Sequence, residues 1–198
     1  GGGQVVVASA RALMQRTLPL RQFRAALREF RLGQMLDLER ILSHLAGLGY
    51  EPVSVVERPG QFSHRGGILD VFPPADVAPV RIEFFGDQIE SLRRFDPATQ
   101  RSQEREQVVV ITPAREALPH HGPRVAGRVA AQLQGDLPAD VRAELEAHHR
   151  DLAAGVPFPG IEFYLPYFYA ESATLLDYIS DETLIVVDDA QELADAWA

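Results

Sequence analysis

The chain contains no cysteine, no lysine and no asparagine. Without cysteine it forms no disulfide and offers no thiolate to a metal, which suits a reducing compartment. Without lysine, all 19 basic residues are arginine. A phosphate-binding loop of the Walker type places a lysine on the β- and γ-phosphates, so these residues cannot supply one. Compositional bias of a GC-rich genome accounts for both missing polar types. Long hydrophobic runs are missing too. No stretch reaches the roughly 18 apolar residues of a membrane span, and the start is not signal-like, so a soluble, cytoplasmic protein is expected. Positive charge is scarce overall. A net charge of −9 makes the chain a poor grip for a phosphate backbone.

What is present suffices for a core. With 198 residues, 46% of them hydrophobic, the chain makes one large domain or two small ones. Gly1 to Gly3 reads as an engineered scar or a flexible junction. Gln4 to Ala8 has the composition of a buried strand, and Ser9 can cap a short helix over Ala10 to Arg16. Arg28 to Leu32 reads as a strand. From Asp37 the stripe Leu38, Ile41, Leu42, Leu45 and Leu48 marks an amphipathic helix, ended by Gly47 and Gly49. Tyr50 to Glu57 alternates like a strand, and Val108 to Ile111 is a short apolar run. Residues 114–155 favour two helices, Arg124–Gln134 and Ala139–Ala153, broken at Pro138. An aromatic segment, Phe158 to Tyr169, follows. Its alternation buries Ile161, Phe163 and Leu165. Ala173 to Ile179 makes a helical turn or two. Leu184 to Val187 reads as a buried strand leading into Asp188-Asp189 and a last helix, Ala190 to Trp197.

Between these parts, Gly60 to Asp96 reads as a three-stranded antiparallel meander: Gln61–Phe72, Val80–Phe85 and Ile89–Phe95. Pro73-Pro74-Ala75-Asp76 and Gly86-Asp87-Gln88 form its turns, and Gly66-Gly67 forms a bulge in the first strand. Asp70 and Asp87 read as turn and edge residues. Because side chains alternate across a strand, Val80, Ile82 and Phe84 face the core while Arg81, Glu83 and Phe85 face outward. Arg81 and Phe85 then sit about 13 Å apart on one face. An exposed aromatic beside an arginine is the makeup of a binding hot spot. The competing reading is an exposed sheet kept soluble by arginines paired with Glu83 and Glu90.

Candidates for chemistry are few. The run LIVVDDAQ at 184–191 looks like the end of a Walker B strand, with Asp188 as the magnesium-holding acid and Asp189 as the second acid. The alternative is that the two aspartates end the strand and cap the next helix. His120-His121 and His148-His149 are adjacent pairs, which point apart on a helix or strand, and His44 and His64 stand alone. Shared metal ligation is therefore not expected. The basic patch Arg21, Arg24, Arg28 and Arg31 reads as a solvated helix face or a nucleic-acid contact. The aromatic segment reads as packing or as a platform for stacked bases.

RGGILDVFPP, PVRIEFFGDQIESLRRFD and Thr99-Gln100-Arg101-Ser102 resemble the UvrA-binding domain shared by the excision-repair protein UvrB and Mfd-type transcription-repair coupling factors. Gly49-Tyr50, Glu57-Arg58-Pro59-Gly60-Gln61-Phe62 and GIEFYLPYFY at 160–169 are similar in wording and order to the coupling factors. The resemblance runs from about Val5 to Val187. It implies an α/β chain: a partial, degenerate RecA-like subdomain (1–24 and 114–198) interrupted by an inserted α+β UvrA-binding domain (25–113) with an antiparallel sheet. It implies UvrA as partner, met by Arg65, Arg81 and Phe85, with Glu83 between the last two. It also implies no activity and no cofactor for this stretch. The ATP- and magnesium-using motor of the whole protein, and its contacts with RNA polymerase and DNA, would lie elsewhere. A fragment of UvrB itself and a nucleic-acid-binding module are the alternatives. In UvrB a glutamate stands where Asp189 is, and a serine-histidine pair where Ala190-Gln191 is.

Overall fold

The structure is a computed structural model describing residues 5–131, 134–171, 173–188, 191 and 194. Its centre is a sheet of six strands: β2 (Glu51–Pro52), β3 (Gln61–Arg65), β4 (Ile68–Val71), β5 (Val80–Phe85), β6 (Gln88–Phe95) and β7 (Ser102–Arg105), in that spatial order. β2 runs parallel to β3, and every later neighbour is antiparallel. Alternation decides which face is inside. The rungs Val71–Val80 and Leu69–Ile82–Leu92 are fully buried, and Phe84 and Ile89 are buried beyond a bulge at Glu83/Phe84.

The meander has one more strand than the sequence reading gave it. Gln61–Phe72 is a hairpin, not one bulged strand, and Gly66-Gly67 is its turn. Gly66 takes φ +59°. A Cβ on Gly67 would lie 2.7 Å from the Phe84 carbonyl oxygen, on the neighbouring strand. Two glycines thus permit both the reversal and the close approach of β5. The strand expected over Tyr50–Glu57 shrinks to Glu51–Pro52, because residues 53–58 leave the ladder and fold across the sheet.

Helix α3 (Leu38–Gly47) forms as its pattern requires. The Asp37 carboxylate accepts a hydrogen bond from the Arg40 amide, and Ile41, Leu45 and Leu48 are buried. A separate two-stranded ladder joins β1 (Arg28–Arg31) to β8 (Val108–Ile111), register Arg28↔Ile111, so both ends of the sheet-bearing excursion leave side by side.

Two short helices precede β1: α1 (Ala10–Met14), capped by the Ser9 hydroxyl, and α2 (Leu20–Ala26), where the sequence showed no clear element. The early chain docks on the late chain. Thr17 bridges to Ala173, and its hydroxyl donates to Glu116 Oε1 at 2.9 Å. The Tyr178 hydroxyl donates to the Leu18 carbonyl, and Phe23 meets the Tyr178 ring edge-on.

Helices α4 (Gly122–Val129), α5 (Ala139–Ala154) and α6 (Leu165–Phe168) complete the fold. Gly122 lets α4 touch α5, since a Cβ there would sit 2.4 Å from the Leu152 carbonyl oxygen. Helices and sheet share one core that runs from Leu18 through Leu45 and Ile82 to Tyr169. A seam of hydrogen bonds crosses it: Tyr50 Oη to the Thr112 carbonyl at 2.6 Å, and the Ala114 amide to the Leu48 carbonyl.

The strands expected near both ends and the alternating aromatic segment do not form. Val5–Val7 and Leu184–Val187 are not strands. They are exposed and unpaired among the described residues, because no partner edge lies beside them. The sheet of a RecA-like subdomain is therefore absent among the described residues. The aromatic segment is a 3-10 turn (Ile161–Tyr164) running into α6, so period-two alternation does not apply and Phe163 is exposed, not buried. The helix expected over Ala190–Trp197 lies largely outside the described residues.

Candidate functional site

The second face of the sheet has two ends of different character. At one end, residues 53–58 strap across it. The Glu57 and Arg58 amides donate to Gln61 Oε1, the Ser63 hydroxyl donates to the Ser54 carbonyl, and the Gln100 amide group donates to the Val56 carbonyl. Val56 of the strap is buried together with Phe72 and Phe95 beneath it, and Val53 packs beside them. The other end is bare. Arg65 is exposed at the tip of β3, Ile68 lies next to it, and Phe85 is 77% exposed at the end of β5.

Arg81 stands at the boundary. Its Nε and Nη2 donate to the two carboxylate oxygens of Asp70 at 2.7 and 2.8 Å. Its guanidinium also lies 4.6 Å from the centre of the Phe95 ring. Asp70 and Arg81 are direct cross-strand partners, so strand register alone delivers this fork-to-carboxylate pairing. The Asp70 side chain is 3% exposed and that of Arg81 15%. The Asp70 hydrogen bonds hold the guanidinium protonated above its usual range, outweighing the opposing effect of burial. Asp70 is thus a buried strand residue, not the turn or edge residue its sequence context suggested.

Glu83 pairs with Arg93 of β6 at 3.7 Å, and Arg93 Nε donates to the Ser91 hydroxyl. Of the four residues singled out on this surface, Arg65, Glu83 and Phe85 share the open end. Arg81 presents an edge of an otherwise engaged side chain. Sequence reasoning missed Asp70, Ile68 and Arg93. Splitting the first strand into β3 and β4 would have revealed the first two, because it sets Asp70 opposite Arg81 and Ile68 opposite Glu83.

The other candidates do not converge. Asp188 is exposed and follows no strand, and Asp189 lies outside the described residues. His120 Nδ1 contacts the Gly47 carbonyl at 2.7 Å, while His121 meets the Tyr169 ring. Burial, aided by the charges of His120 and Arg124, pushes His121 down to about 4. His44 is also lowered by burial, and its Nε2 finds no hydrogen-bond partner among the described residues. His148 stacks on Phe158 and contacts the Tyr164 hydroxyl. Among the described residues no three acidic or histidine side chains gather as a metal site. In the basic patch, Arg28 turns back to the carbonyls of Ala25 and Leu27, and Arg31 pairs with Glu29. Of the aromatic segment, Phe158, Phe168 and Tyr169 are core, which leaves no exposed row of rings. No helix among the described residues is long and apolar enough to cross a membrane.

Residues 29–116 match the family model described as the UvrB interaction domain. Over 181 residues the chain is 39% identical to the transcription-repair-coupling factor of Myxococcus xanthus, covering 89% of this chain and 15% of that protein. The corresponding protein of Bacillus subtilis is 32% identical over 203 residues (98% of the chain, 17% of the relative). That of Escherichia coli is 30% identical over 186 residues (92% and 16%). The chain therefore spans about a sixth of the length of these relatives. Residues 29–116 are thus similar to the UvrB interaction domain, within a chain that is similar over most of its length to part of the transcription-repair-coupling factors.

Proposed function

We propose that this chain is a docking module that binds UvrA through the bare end of its sheet. Within a longer coupling factor it recruits nucleotide excision repair to a stalled RNA polymerase. In this reading the module does no chemistry and holds no nucleotide or metal. The ATP-driven motor, and the contacts with polymerase and DNA, belong to other parts of the longer, cytoplasmic protein. Residues 1–24 and 114–198 belong to a degenerate RecA-like subdomain.

One observation carries the reading. The sheet's second face covers Phe72 and Phe95 with a strap yet leaves Phe85 at 77% exposure, beside Arg65 and Glu83. A bare phenylalanine ringed by charged groups costs solubility and contributes nothing visible to the core, while an anchor of this kind is what an interface needs. Arg81 then serves the site by positioning: held by Asp70, its fork stiffens β4 and β5 beneath the contact.

Calorimetric titration with UvrA tests the proposal. Wild type binds. Phe85→Ala weakens binding by about 2–4 kcal/mol, with an unchanged circular dichroism melt. A folded wild type without heat of binding, or an unaffected Phe85→Ala, contradicts it.

A further inference from the structure

Strand register stacks three arginines on one rung of the outer face. Arg81 of β5 is directly opposite Arg93 of β6, and Arg93 is directly opposite Arg105 of the edge strand β7. Like charges directly across a ladder are destabilising. Only part of this cost is offset within the molecule. Asp70 neutralises Arg81, and Glu83 reaches Arg93 at 3.7 Å. Arg105 is exposed and has no ion pair among the described residues, and the same holds for Arg65 across the face. A chain of net charge −9 therefore keeps two unneutralised cations on the one face that also bares Phe85.

Resting on the docking reading, we propose that the rung Arg81–Arg93–Arg105 extends the UvrA-binding surface to the edge strand. There it receives a carboxylate-rich patch of the partner, with Arg105 as its outermost, specificity-determining contact. Guanidinium groups accept carboxylates in bidentate fashion, and complementary charge acts chiefly on association rate and partner choice. A protein patch fits better than a phosphate backbone. Glu83, two residues from Arg81 on the same face, and the net charge of −9 both disfavour a continuous run of phosphates.

Arg105→Glu places a carboxylate opposite Arg93, so the variant keeps or slightly raises its melting temperature while losing affinity. Titrations with UvrA compare wild type, Phe85→Ala, Arg105→Glu and Arg150→Glu. The last makes the same charge change on exposed Arg150 of α5, away from the sheet. The expected result is binding about five- to tenfold weaker for Arg105→Glu, mostly in association rate, with a shallower salt dependence. Arg150→Glu should behave as wild type. Equal affinities for Arg105→Glu and Arg150→Glu, with Phe85→Ala still defective, overturn the arginine rung and leave the docking reading intact. A wild type that binds short duplex DNA but not UvrA, and loses the DNA in Arg105→Glu, overturns both.

Discussion

The two ends of one sheet face carry similar side chains in opposite circumstances. Phe95 lies at the strapped end with Arg81 at its boundary, where ring, guanidinium and the buried Asp70 carboxylate satisfy one another. Phe85 and Arg65 lie at the bare end, exposed and without such partners. Arg81 and Phe85 are only four residues apart on β5. The difference shows that a shared face and a shared residue type do not imply a shared role. What separates them is the loop 53–58, which converts half of an antiparallel sheet's solvent face into a second small core.

The two ends should respond differently to substitution. Phe95→Ala is expected to have the largest effect, a loss of about 3–5 kcal/mol in urea denaturation, because it empties the strapped cluster and removes the ring under Arg81. Arg81→Ala should follow at about 3 kcal/mol, since it leaves the Asp70 carboxylate buried and unpaired. The double replacement Asp70→Leu with Arg81→Met should cost less than Arg81→Ala alone. If it costs more, the pair does more than satisfy its own burial. Phe85→Ala, on the same strand, should change stability by less than about 0.5 kcal/mol.

Acid probes the helical flank instead of the sheet. Folded His121 stays neutral down to about pH 4, whereas in the unfolded chain it protonates near 6.5. Its contribution is complete above pH 6.5 and is lost as pH falls towards 4. Because the ring is only half-buried, the loss should be about 1 kcal/mol after allowance for solvent screening. His121→Gln should flatten that part of the stability–pH curve. An unchanged slope would remove His121 from the cause.

The sequence made some of this legible, for local reasons. Helix α3 could be read because its cap and apolar stripe lie within one contiguous segment. Likewise, β5 announces itself by period-two alternation before a glycine turn. The outward placement of Arg81, Glu83 and Phe85 followed from that alternation alone. What could not be read depended on distant chain. The Gly66-Gly67 hairpin looks like a bulge until β5 is known to pass within 2.7 Å of a Gly67 Cβ. The pairing of Arg81 with Asp70 needs the register between β4 and β5. Val5–Val7 and Leu184–Val187 have strand composition, but composition does not supply a neighbouring edge. Phe163 was misplaced because a single short segment cannot distinguish a 3-10 turn from an alternating strand.

Hydrogen exchange on this chain, free and saturated with UvrA, tests the division of the sheet face most directly. Amides at 65–68 and 83–88 should gain protection, while those of the strap at 53–58 should exchange at the same rate in both states. Protection confined to the strap, or to the aromatic segment 158–169, would contradict the assignment of docking to the bare end.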